Sequence, residues 1–413
     1  MLFYTVALLL LVGAQGNTHE LDIQNLIDLS SAEDSADPED AHLLVPDLIE
    51  KYGYTVEVHN IITSDGYNLT LHRIPHGIDQ TYSEGRPIAY VQHGLLCSSA
   101  DWVVPGPEKG LAYILADAGY DVWMGNARGN RYSRKHNTLD PDDDAKEFWD
   151  FSWHEIAVID VPEMIDFVLN KTGQSKLFHI GHSQGTTTFY IMCSERPEYN
   201  DKIIAHFSLA PIAYMKHMTS PLLKLISVAE GGIEFLLGLI GMHEFMPTDG
   251  FLHNISKPWC DESVLQPVCT NTLFVLCGFN KNQMNNTLLP IILGHTPAGA
   301  ATKQLLHYAQ EIKSGFFRQY DHGLIGNQKK YGSIFPPNYK LKKVVAPVYL
   351  FYSRNDWLSA EVDVNRLYTE LGNSQAKMLV ADPKWNHLDY MWGIDAPHLV
   401  YNKVISLMEQ LLL

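Results

Sequence analysis

The chain has 413 residues, of which 46% are hydrophobic and 19% are charged. This composition is typical of globular proteins and excludes a disordered chain, a collagen-like repeat and a coiled coil. Lys and Arg number 30 against 47 Asp and Glu, a formal net charge of −17 with neutral His. Because binding to a nucleic-acid backbone needs clustered cations, this charge argues against a nucleic-acid partner. The 19 His residues would bring the charge close to zero if protonated, which suits an acidic compartment.

Residues 1–16 have the pattern of a secretory signal peptide. An apolar run, residues 6–12, precedes Ala14 and Gly16, which are small residues at the −3 and −1 positions of a cleavage site. The run is shorter than the ~20 residues that a bilayer crossing requires, and no other segment is long and apolar enough. We therefore expect a secreted chain without a transmembrane segment.

Entry into the secretory pathway gives meaning to the N-x-[ST] sequons and to the cysteines. Four Asn residues are expected on the surface as glycosylation sites: Asn68, Asn170, Asn254 and Asn285. The five cysteines allow at most two disulfides: Cys97, Cys193, Cys260, Cys269 and Cys277. Cys97 and Cys193 lie in core segments and are predicted to be free. No C-x-x-C or paired-His spacing accompanies the cysteines, so we expect no metal.

The segment after the signal peptide is acidic. Residues 17–45 contain a run, 31–40, that is too rich in Asp and Glu to pack, so we expect a solvated pro-segment or tail. Past this segment, two alternating runs flank Ser64-Asp65-Gly66. Asp-Gly between such runs is a strong short-range signal of a β-hairpin.

From residue 88 onward, apolar strand-like runs alternate with longer helical ones, which indicates βαβ units and a mostly parallel sheet. The runs predicted as strands are Ile88–Gln92, 121–124, 177–180, Ile203–Leu209, 344–352 and 378–380. No convincing strand occurs between Leu209 and Val344. The sequence thus predicts an α/β core made of residues 46–213 and 344–413, with an inserted, mainly helical cap at residues 214–343.

A candidate nucleophile follows the predicted strand at residues 177–180. The sequence Gly181-His182-Ser183-Gln184-Gly185 stands between that strand and a helical run, which is the context of a nucleophile elbow. Both glycines are expected because the turn leaves no room for side chains beside the serine. Ser183 is the predicted nucleophile, whereas His182 is expected to pack or to line the pocket.

A serine hydroxyl needs a base to remove its proton and a carboxylate to orient that base. In the α/β-hydrolase order these partners follow two late strands, which selects Asp356 and His387. The rivals considered are Asp382 and Asp389 for the acid and His398 for the base. The two acids stand too near His387 in sequence, and His398 lies in a helical stretch.

The oxyanion of a tetrahedral intermediate needs two preorganised N–H donors. In this fold the residue after the nucleophile, Gln184, supplies one of them. The loop after the strand Ile88–Gln92 is expected to supply the other from Leu95, with Gly94 allowing the close approach. His93 is expected to hydrogen-bond the loop rather than to act in catalysis.

With these residues in place, the sequence closely resembles the acid lipase family, which includes gastric, lysosomal and insect digestive lipases. The matching stretches run from about residue 49 to the C-terminus: 63–67, 92–95, 126–130 with 132, 133 and 136, 148–155, 181–185, 295–299, 356–358 and 386–389. The chain departs from the family pattern at Ser353-Arg354, where a Gly-Gly pair is usual, and at Tyr390, where Phe is usual. These departures put the pH optimum and the geometry of the acid loop in doubt.

The resemblance implies an α/β-hydrolase fold with the triad Ser183, Asp356 and His387 and an oxyanion hole at Leu95 and Gln184. It also implies a disulfide between Cys260 and Cys269 that leaves Cys277 free, and no cofactor. The expected activity is hydrolysis of neutral lipid esters, triacylglycerol or cholesteryl ester, through an acyl-enzyme at acidic pH. The alternatives are a small-ester carboxylesterase and a catalytically silent lipid-binding protein.

The resemblance leaves the place of action open, and we expect a monomer at a lipid–water interface in the extracellular space or gut lumen, with the lysosome as the alternative. The opening of the predicted cap, residues 221–240, is strongly apolar. It is either a buried pair of helices or a surface that meets lipid.

Overall fold

The computed structural model describes residues 37–221, 223, 224, 227, 242–245, 277, 278 and 280–413. Its strands are β1 (Glu57–Ile62), β2 (Asn68–Ile74), β3 (Ile88–Gln92), β4 (Asp121–Gly125), β5 (Leu177–His182), β6 (Ile203–Leu209), β7 (Glu244–Phe245), β8 (Ala300–Ala301), β9 (Val348–Tyr352) and β10 (Ser374–Leu379). Its α-helices are α1 (Val45–Lys51), α2 (Leu111–Asp117), α3 (Ala145–Phe148), α4 (Trp153–Glu155), α5 (Val161–Thr172), α6 (Gln184–Glu195), α7 (Leu289–His295), α8 (Thr302–Ser314), α9 (Gly323–Tyr331), α10 (Glu361–Glu370), α11 (Asp389–Trp392) and α12 (Asn402–Leu412).

Eight strands form one sheet in the order β1-β2-β4-β3-β5-β6-β9-β10. β2 pairs antiparallel with β1 and β4, and every other neighbouring pair in this sheet is parallel. The turn between β1 and β2 contains Gly66 with φ of 101°, which confirms the predicted hairpin. The mostly parallel sheet confirms the predicted α/β class.

The central strands are buried along their whole length because helices cover both faces of the sheet. Each residue of β3, β4 and β5 is buried, as expected for parallel strands that read as continuous apolar runs. The helix that connects β4 to β5 illustrates the local signals. α5 carries Pro162 in its first turn and ends at Gly173, whose φ of 69° is the left-handed conformation of a helix C-cap.

Four of the six predicted strands have other limits in the structure. β4 continues to Gly125 rather than ending at residue 124, and β5 continues to His182 rather than ending at residue 180. β9 begins at Val348 rather than at residue 344, since Leu341–Lys343 form a 3₁₀ turn and Pro347 cannot donate to a neighbouring strand. β10 begins at Ser374, four residues before the predicted start at 378 and ends at Leu379. The range without a predicted strand contains the two-residue strands β7 and β8, which pair antiparallel.

One compact unit of the chain begins at Pro38, inside the segment predicted as a solvated tail. Asp40 is buried, where Tyr52 donates a 2.5 Å hydrogen bond to its carboxylate and Lys51 lies 2.6 Å away. Its backbone carbonyl lies 2.8 Å from Nε2 of His295. These contacts hold the end of the acidic segment against the core.

Candidate active site

The predicted nucleophile lies at the sharp turn between β5 and α6. Ser183 has φ of 51° and ψ of −118°, a strained conformation for a residue with a side chain. A Cβ on Gly181 would lie 2.7 Å from the backbone of Gly185, and a Cβ on Gly185 would lie 2.3 Å from the carbonyl oxygen of Gln92. The two glycines are therefore required by close backbone approach, and the serine is held at the carboxyl end of a central parallel strand.

The structure brings the predicted acid and base together. Nδ1 of His387 lies 2.8 Å from Oδ2 and 3.0 Å from Oδ1 of Asp356, and both side chains are buried. Oδ1 of Asp356 also accepts hydrogen bonds from the backbone amides of Leu358 (2.9 Å) and Ser359 (2.8 Å). These bonds hold the carboxylate against the ring. Nε2 of His387 is buried and has no hydrogen-bond partner in the described part of the chain, Ser183 included.

The rival groups lie elsewhere. Asp389 accepts hydrogen bonds from the amide of Asn386 and the side chain of Asn280, both at 2.8 Å, and burial raises its pKa to about 7. Asp382 contacts the side chain of Asn280 at 3.0 Å. His398 is exposed on a helix. No hydrogen bond joins any of the three to His387 among the described residues.

His182 contacts the loop that carries His387, and Gly94 lies close to both His182 and Ser183. Nε2 of His182 lies 2.8 Å from the backbone carbonyl of His387, and the two ring centroids are 4.9 Å apart. A Cβ on Gly94 would lie 3.1 Å from Cβ of Ser183 and 3.2 Å from Nδ1 of His182. Burial holds the pKa of His182 well below its usual range, so its ring packs as a neutral group.

The loop after β3 has the geometry expected of an oxyanion loop. Leu96 has φ of 63°, and in the described residues the amides of Leu95 and Gln184 have no recorded acceptor. His93 supports the loop from below: Nδ1 lies 2.8 Å from the carbonyl of Gly94, and Nε2 accepts from the amide of Ala127 at 3.1 Å. Burial lowers the pKa of His93 to about 4, which keeps the ring neutral.

A segment of the predicted cap braces the same loop. The amide of Ala298 donates to the carbonyl of Leu96 at 2.7 Å, and the hydroxyl of Thr296 donates to Asp101 at 3.0 Å. Asp101 lies just after the loop, and burial raises its pKa to about 6. No local pattern predicted this bracing, because contacts between distant segments leave no periodicity in the sequence.

Residues 277 and 278 lie between the acid and histidine loops. The carbonyl of Cys277 accepts hydrogen bonds of 3.4 Å from the amides of Trp357 and His387. Gly278 has φ of 113°, and a Cβ there would lie 2.2 Å from the carbonyl oxygen of Asn355. Sequence reasoning missed this role, because a glycine required by a positive φ and a close backbone contact looks like any other glycine in the sequence.

The remaining predicted sites divide into described and undescribed ones. Cys97, Cys193 and Cys277 are free and buried, whereas Cys260 and Cys269 lie outside the described residues. Asn170 is exposed, Asn68 and Asn285 are half-buried, and Oδ1 of Asn68 is buried without a partner. Asn254 lies outside the described residues, as does nearly all of the apolar segment 221–240.

The described residues contain no group of three or more His, Cys, Asp or Glu side chains arranged to hold a metal ion. None of the helices in that part of the chain has the length and hydrophobicity that a bilayer crossing requires. A strained serine, a paired histidine and carboxylate, and two backbone amides without an acceptor among the described residues form an arrangement that suits acyl transfer.

Comparison with known proteins supports this assignment. A family model described as a partial alpha/beta-hydrolase lipase region matches residues 45–106, and one described as the alpha/beta hydrolase fold matches residues 90–226. Lipase 3 of Drosophila melanogaster is 47% identical over 370 residues, which cover 87% of this chain and 91% of the relative. The human lysosomal acid lipase/cholesteryl ester hydrolase is 40% identical and is matched over 91% of this chain and 93% of its own length.

The chain belongs to the acid lipase family. Rat gastric triacylglycerol lipase is a further relative at 40% identity, matched over 90% of this chain and 92% of its own length. The crystal structure of a proposed lipase from Sulfolobus solfataricus has a TM-score of 0.57 at 14% identity, covers 90% of this chain and 97% of its own, and shows the shared fold. This acid lipase is thus a carboxylic ester hydrolase with lipid esters as its substrate class.

The structure gives physical reasons for two stretches that carry the family resemblance. Arg128 of this acid lipase is buried between Asp65 and Asp160, with nitrogen–oxygen distances of 2.6 Å to each. Its guanidinium also lies 4.0 Å from the ring centroid of Tyr67. This buried ion cluster joins the β1–β2 hairpin to the loop after β4. The departures from the family pattern lie outside the acid–base pair: Arg354 pairs with Glu361 at 3.4 Å, and the buried Tyr390 ring is 6.3 Å from that of His182.

Proposed function

We propose that the protein hydrolyses carboxylic esters of neutral lipids through an acyl-enzyme formed on Ser183. The observation that carries this proposal is the buried pair of His387 and Asp356 beside the strained serine elbow. His387 acts as general base and then as general acid, and Asp356 orients its ring. Leu95 and Gln184 supply the oxyanion donors.

In the first half of the reaction, Oγ of Ser183 attacks the ester carbonyl carbon while its proton moves to Nε2 of His387. Nε2 of His387 has no hydrogen-bond partner among the described residues, which suits this role. The carbonyl oxygen becomes an oxyanion that the amides of Leu95 and Gln184 stabilise, each by ~3 kcal/mol. Collapse of the intermediate expels the alcohol, which takes the proton from Nε2. Water then repeats the sequence and releases the fatty acid, which restores Ser183.

The choice of lipid is supported by relatives of two kinds. One is named a lysosomal acid lipase/cholesteryl ester hydrolase and another a gastric triacylglycerol lipase. Triacylglycerol and cholesteryl ester are therefore the two substrate classes we propose. Action at acidic pH in a secreted or lysosomal setting is supported by the signal-peptide pattern and by the near-neutral charge that protonated His residues would give.

The predicted cap stays part of the proposal. We propose that residues 214–343 cover the site, that Cys260 pairs with Cys269, that the four sequons are glycosylated and that the protein acts as a peripheral monomer. Peptide mapping without reduction tests the disulfide, and a bond from Cys260 to Cys277 would contradict it.

Leu236→Asp with Leu237→Asp tests the cap. If these leucines meet lipid, the variant is expected to lose activity selectively on an emulsified long-chain ester.

The test of the function compares three substrates with one enzyme preparation. Emulsified triolein, cholesteryl oleate and a soluble butyrate ester are offered to the wild type and to Ser183→Ala at acidic and neutral pH. Turnover of a long-chain ester by the wild type alone supports the proposal. Turnover of the soluble ester alone would favour a small-ester carboxylesterase, and no turnover would favour a silent lipid-binding protein.

A further inference from the structure

Helix α9 and the turn after it expose a group of large apolar side chains, here called the α9 patch: Leu324, Ile325, Ile334 and Phe335. Ile325 is 87% exposed, Leu324 65%, Phe335 62% and Ile334 48%. Single exposed apolar residues are ordinary on protein surfaces, but four within twelve residues form a patch that marks an interaction site. The patch lies outside the apolar segment 221–240.

Buried hydrogen bonds hold the patch in one shape. The side chain of Asn327 is buried and donates to Oδ1 of Asp321 at 2.7 Å and to the carbonyl of Ile334 at 3.0 Å. Its own carbonyl accepts from the amide of His322 at 2.9 Å. Asn327 therefore ties the turn that carries Ile334 and Phe335 to the helix that carries Leu324 and Ile325. The exposed side chains stand on a fixed scaffold rather than on a frayed loop.

The charged residues of α9 and of the turn after it are both lysines. Lys329 and Lys330 are exposed on α9, and Lys329 stands one helical turn after Ile325 on the same face. The described residues show no ion pair for either lysine. No acidic residue occurs between Asp321 and Asp356, although the chain carries 47 Asp and Glu and a net charge of −17. The apolar α9 patch, with two lysines beside it that have no ion pair in the described residues, is complementary to a lipid surface with anionic head groups.

Side-chain contacts connect the patch to the candidate site. Gln304, in the first turn of α8, accepts a 2.7 Å hydrogen bond from Gln184 at the elbow. Nζ of its neighbour Lys303 lies 5.1 Å from the ring centroid of Tyr320. The carbonyl of Tyr320 accepts from the hydroxyl of Tyr331, the last residue of α9, at 2.8 Å. A surface bound at the patch is thereby held on the part of the fold that meets the nucleophile elbow.

We infer that the α9 patch docks the enzyme on a lipid–water surface with anionic head groups, with Leu324, Ile325, Ile334 and Phe335 entering the apolar layer and Lys329 and Lys330 binding the head groups. This inference rests on the proposed function, because a lipase has to reach esters held in a lipid phase.

The test uses the full chain with Ser183→Ala, so that binding is measured without hydrolysis. Vesicles of phosphatidylcholine alone and of equimolar phosphatidylcholine and phosphatidylglycerol are sedimented with the protein at low and high salt. Lys329→Glu with Lys330→Glu should weaken partition to the anionic vesicles at least about thirtyfold, since each surface lysine contributes roughly a fivefold gain. Ile325→Ser with Phe335→Ser should weaken partition by a similar factor on those vesicles, with little salt dependence.

Matched controls stand in the turn before β9, at the amino end of that strand, whereas Ser183 follows the carboxyl end of β5. Lys342 and Lys343 are exposed in the turn before β9, and Val345 beside them is 54% exposed. Lys342→Glu with Lys343→Glu makes the same change in net charge, and Val345→Ser removes an exposed apolar side chain. Both controls should keep wild-type partition. An equal loss in the controls would overturn the inference, because it would show a diffuse charge effect rather than docking at α9.

Further outcomes separate this inference from the proposed function. With Ser183 restored, the α9 variants should keep wild-type turnover of the soluble butyrate ester and lose activity on an emulsion containing anionic lipid. Absence of soluble-ester turnover in the wild type would instead count against the proposed function. Wild-type vesicle binding by both α9 variants would overturn the docking surface. Conversion of a dimer to a monomer by these variants with vesicle binding unchanged would assign the patch to a second copy, also against the inference.

Discussion

The side-chain amide of Gln184 donates a 2.7 Å hydrogen bond to the side-chain carbonyl of Gln304, and both side chains are buried. Gln184 directly follows the candidate nucleophile, while Gln304 belongs to the range predicted as cap, 120 residues later. The side-chain carbonyl oxygen of Gln184 has no hydrogen-bond partner in the described part of the chain. This single bond is therefore what fixes the side chain of the residue whose amide is the proposed oxyanion donor.

Replacing Gln304 by Met should lower kcat, because it leaves the side-chain NH₂ group of Gln184 buried without a hydrogen-bond acceptor. An unpaired buried donor costs about 1–3 kcal/mol, and relaxation of the elbow to avoid that cost moves the oxyanion donor. We expect about a tenfold fall in kcat on the soluble butyrate ester with a nearly unchanged KM.

Gln310→Met is the matched control for this prediction. Gln310 is a buried glutamine on the same helix, and its side chain binds the backbone of Asp321 rather than the elbow. It should lose stability and keep kcat. Equal falls in kcat for the two variants would show a general loss of α8 packing and remove Gln304 from a positioning role.

Asp356→Asn should reduce kcat by about 10⁴, as loss of the orienting carboxylate does in other triads. The amide can still accept the bonds from Leu358 and Ser359, so folding should be retained. Asp382→Asn serves as the control, because Asp382 binds Asn280 and not His387. Steady-state kinetics on the soluble ester decides the matter. A small effect at Asp356 with a large one at Asp382 would reassign the acid.

The site was predictable where local sequence signals are strong. A Cβ atom on either glycine beside Ser183 would lie only 2.3–2.7 Å from a backbone atom, so glycine is required at both positions. This requirement appears in the sequence as a fixed spacing. Strand periodicity then predicted Asp356 and His387 after two late strands. In the structure, Nδ1 of His387 lies 2.8 Å from Oδ2 of Asp356. β3 and β6 have the predicted limits, because their apolar runs end at clear turn residues.

The remaining features depend on contacts between distant segments, which leave no periodic signal. The Gln184–Gln304 bond, the bracing of Leu96 by Ala298 and the burial of Asp40 all join residues far apart in the chain. Apart from Leu96, the residues concerned are polar or small and give no local sign of these contacts. The α9 patch was not predicted either, because the sequence does not distinguish an exposed leucine or isoleucine from a buried one, and only the fold shows Leu324 and Ile325 exposed.

Glu311→Gln should stabilise the protein at neutral pH. Glu311 is buried on α8, neither carboxylate oxygen has a hydrogen-bond partner in the described residues, and burial raises its pKa well above the usual range. The ionised form is therefore favoured in the unfolded chain, so this group opposes folding above its unfolded pKa and ceases to do so as the pH falls. The neutral amide should raise the free energy of unfolding by about 1–3 kcal/mol near pH 8.

Denaturant unfolding at several pH values checks this prediction. The gain should vanish below about pH 4, where both states of Glu311 are protonated. Glu370→Gln provides the opposite sign. Burial raises the pKa of Glu370, but the hydrogen bonds that its carboxylate accepts from Tyr214 and, at 2.9 Å, from Arg366 outweigh burial and leave the pKa lowered. Removal of this charge should therefore destabilise the protein at neutral pH. Stabilisation by both changes would point to net negative charge as the cause and not to burial of Glu311.

His72→Gln should make the protein more resistant to acid. Burial lowers the pKa of His72 to about 4, and its Nδ1 lies 2.8 Å from the hydroxyl of Ser99. Since the folded pKa lies below the unfolded value of 6.5, stability is lost as the pH falls from about 6.5 to 4, by roughly 2–4 kcal/mol for this group. Glutamine keeps a polar partner for Ser99 and does not titrate, so this part of the loss should disappear.

The measurement is the free energy of unfolding between about pH 8 and pH 4, with the exposed His398→Gln as control. The control should follow the wild-type curve, because an exposed ring has nearly the same environment in both states. Buried acids act in the other direction: burial raises the pKa of Asp101 to about 6 and that of Asp389 to about 7, so both favour folding more as the pH falls. Other buried histidines with a lowered pKa, among them His93, His179 and His295, outnumber these acids, so both curves should fall toward acid. The curve of His72→Gln should fall by roughly 2–4 kcal/mol less than that of the wild type. Equal falls in the two curves would show that protonation of His72 is not part of the acid loss.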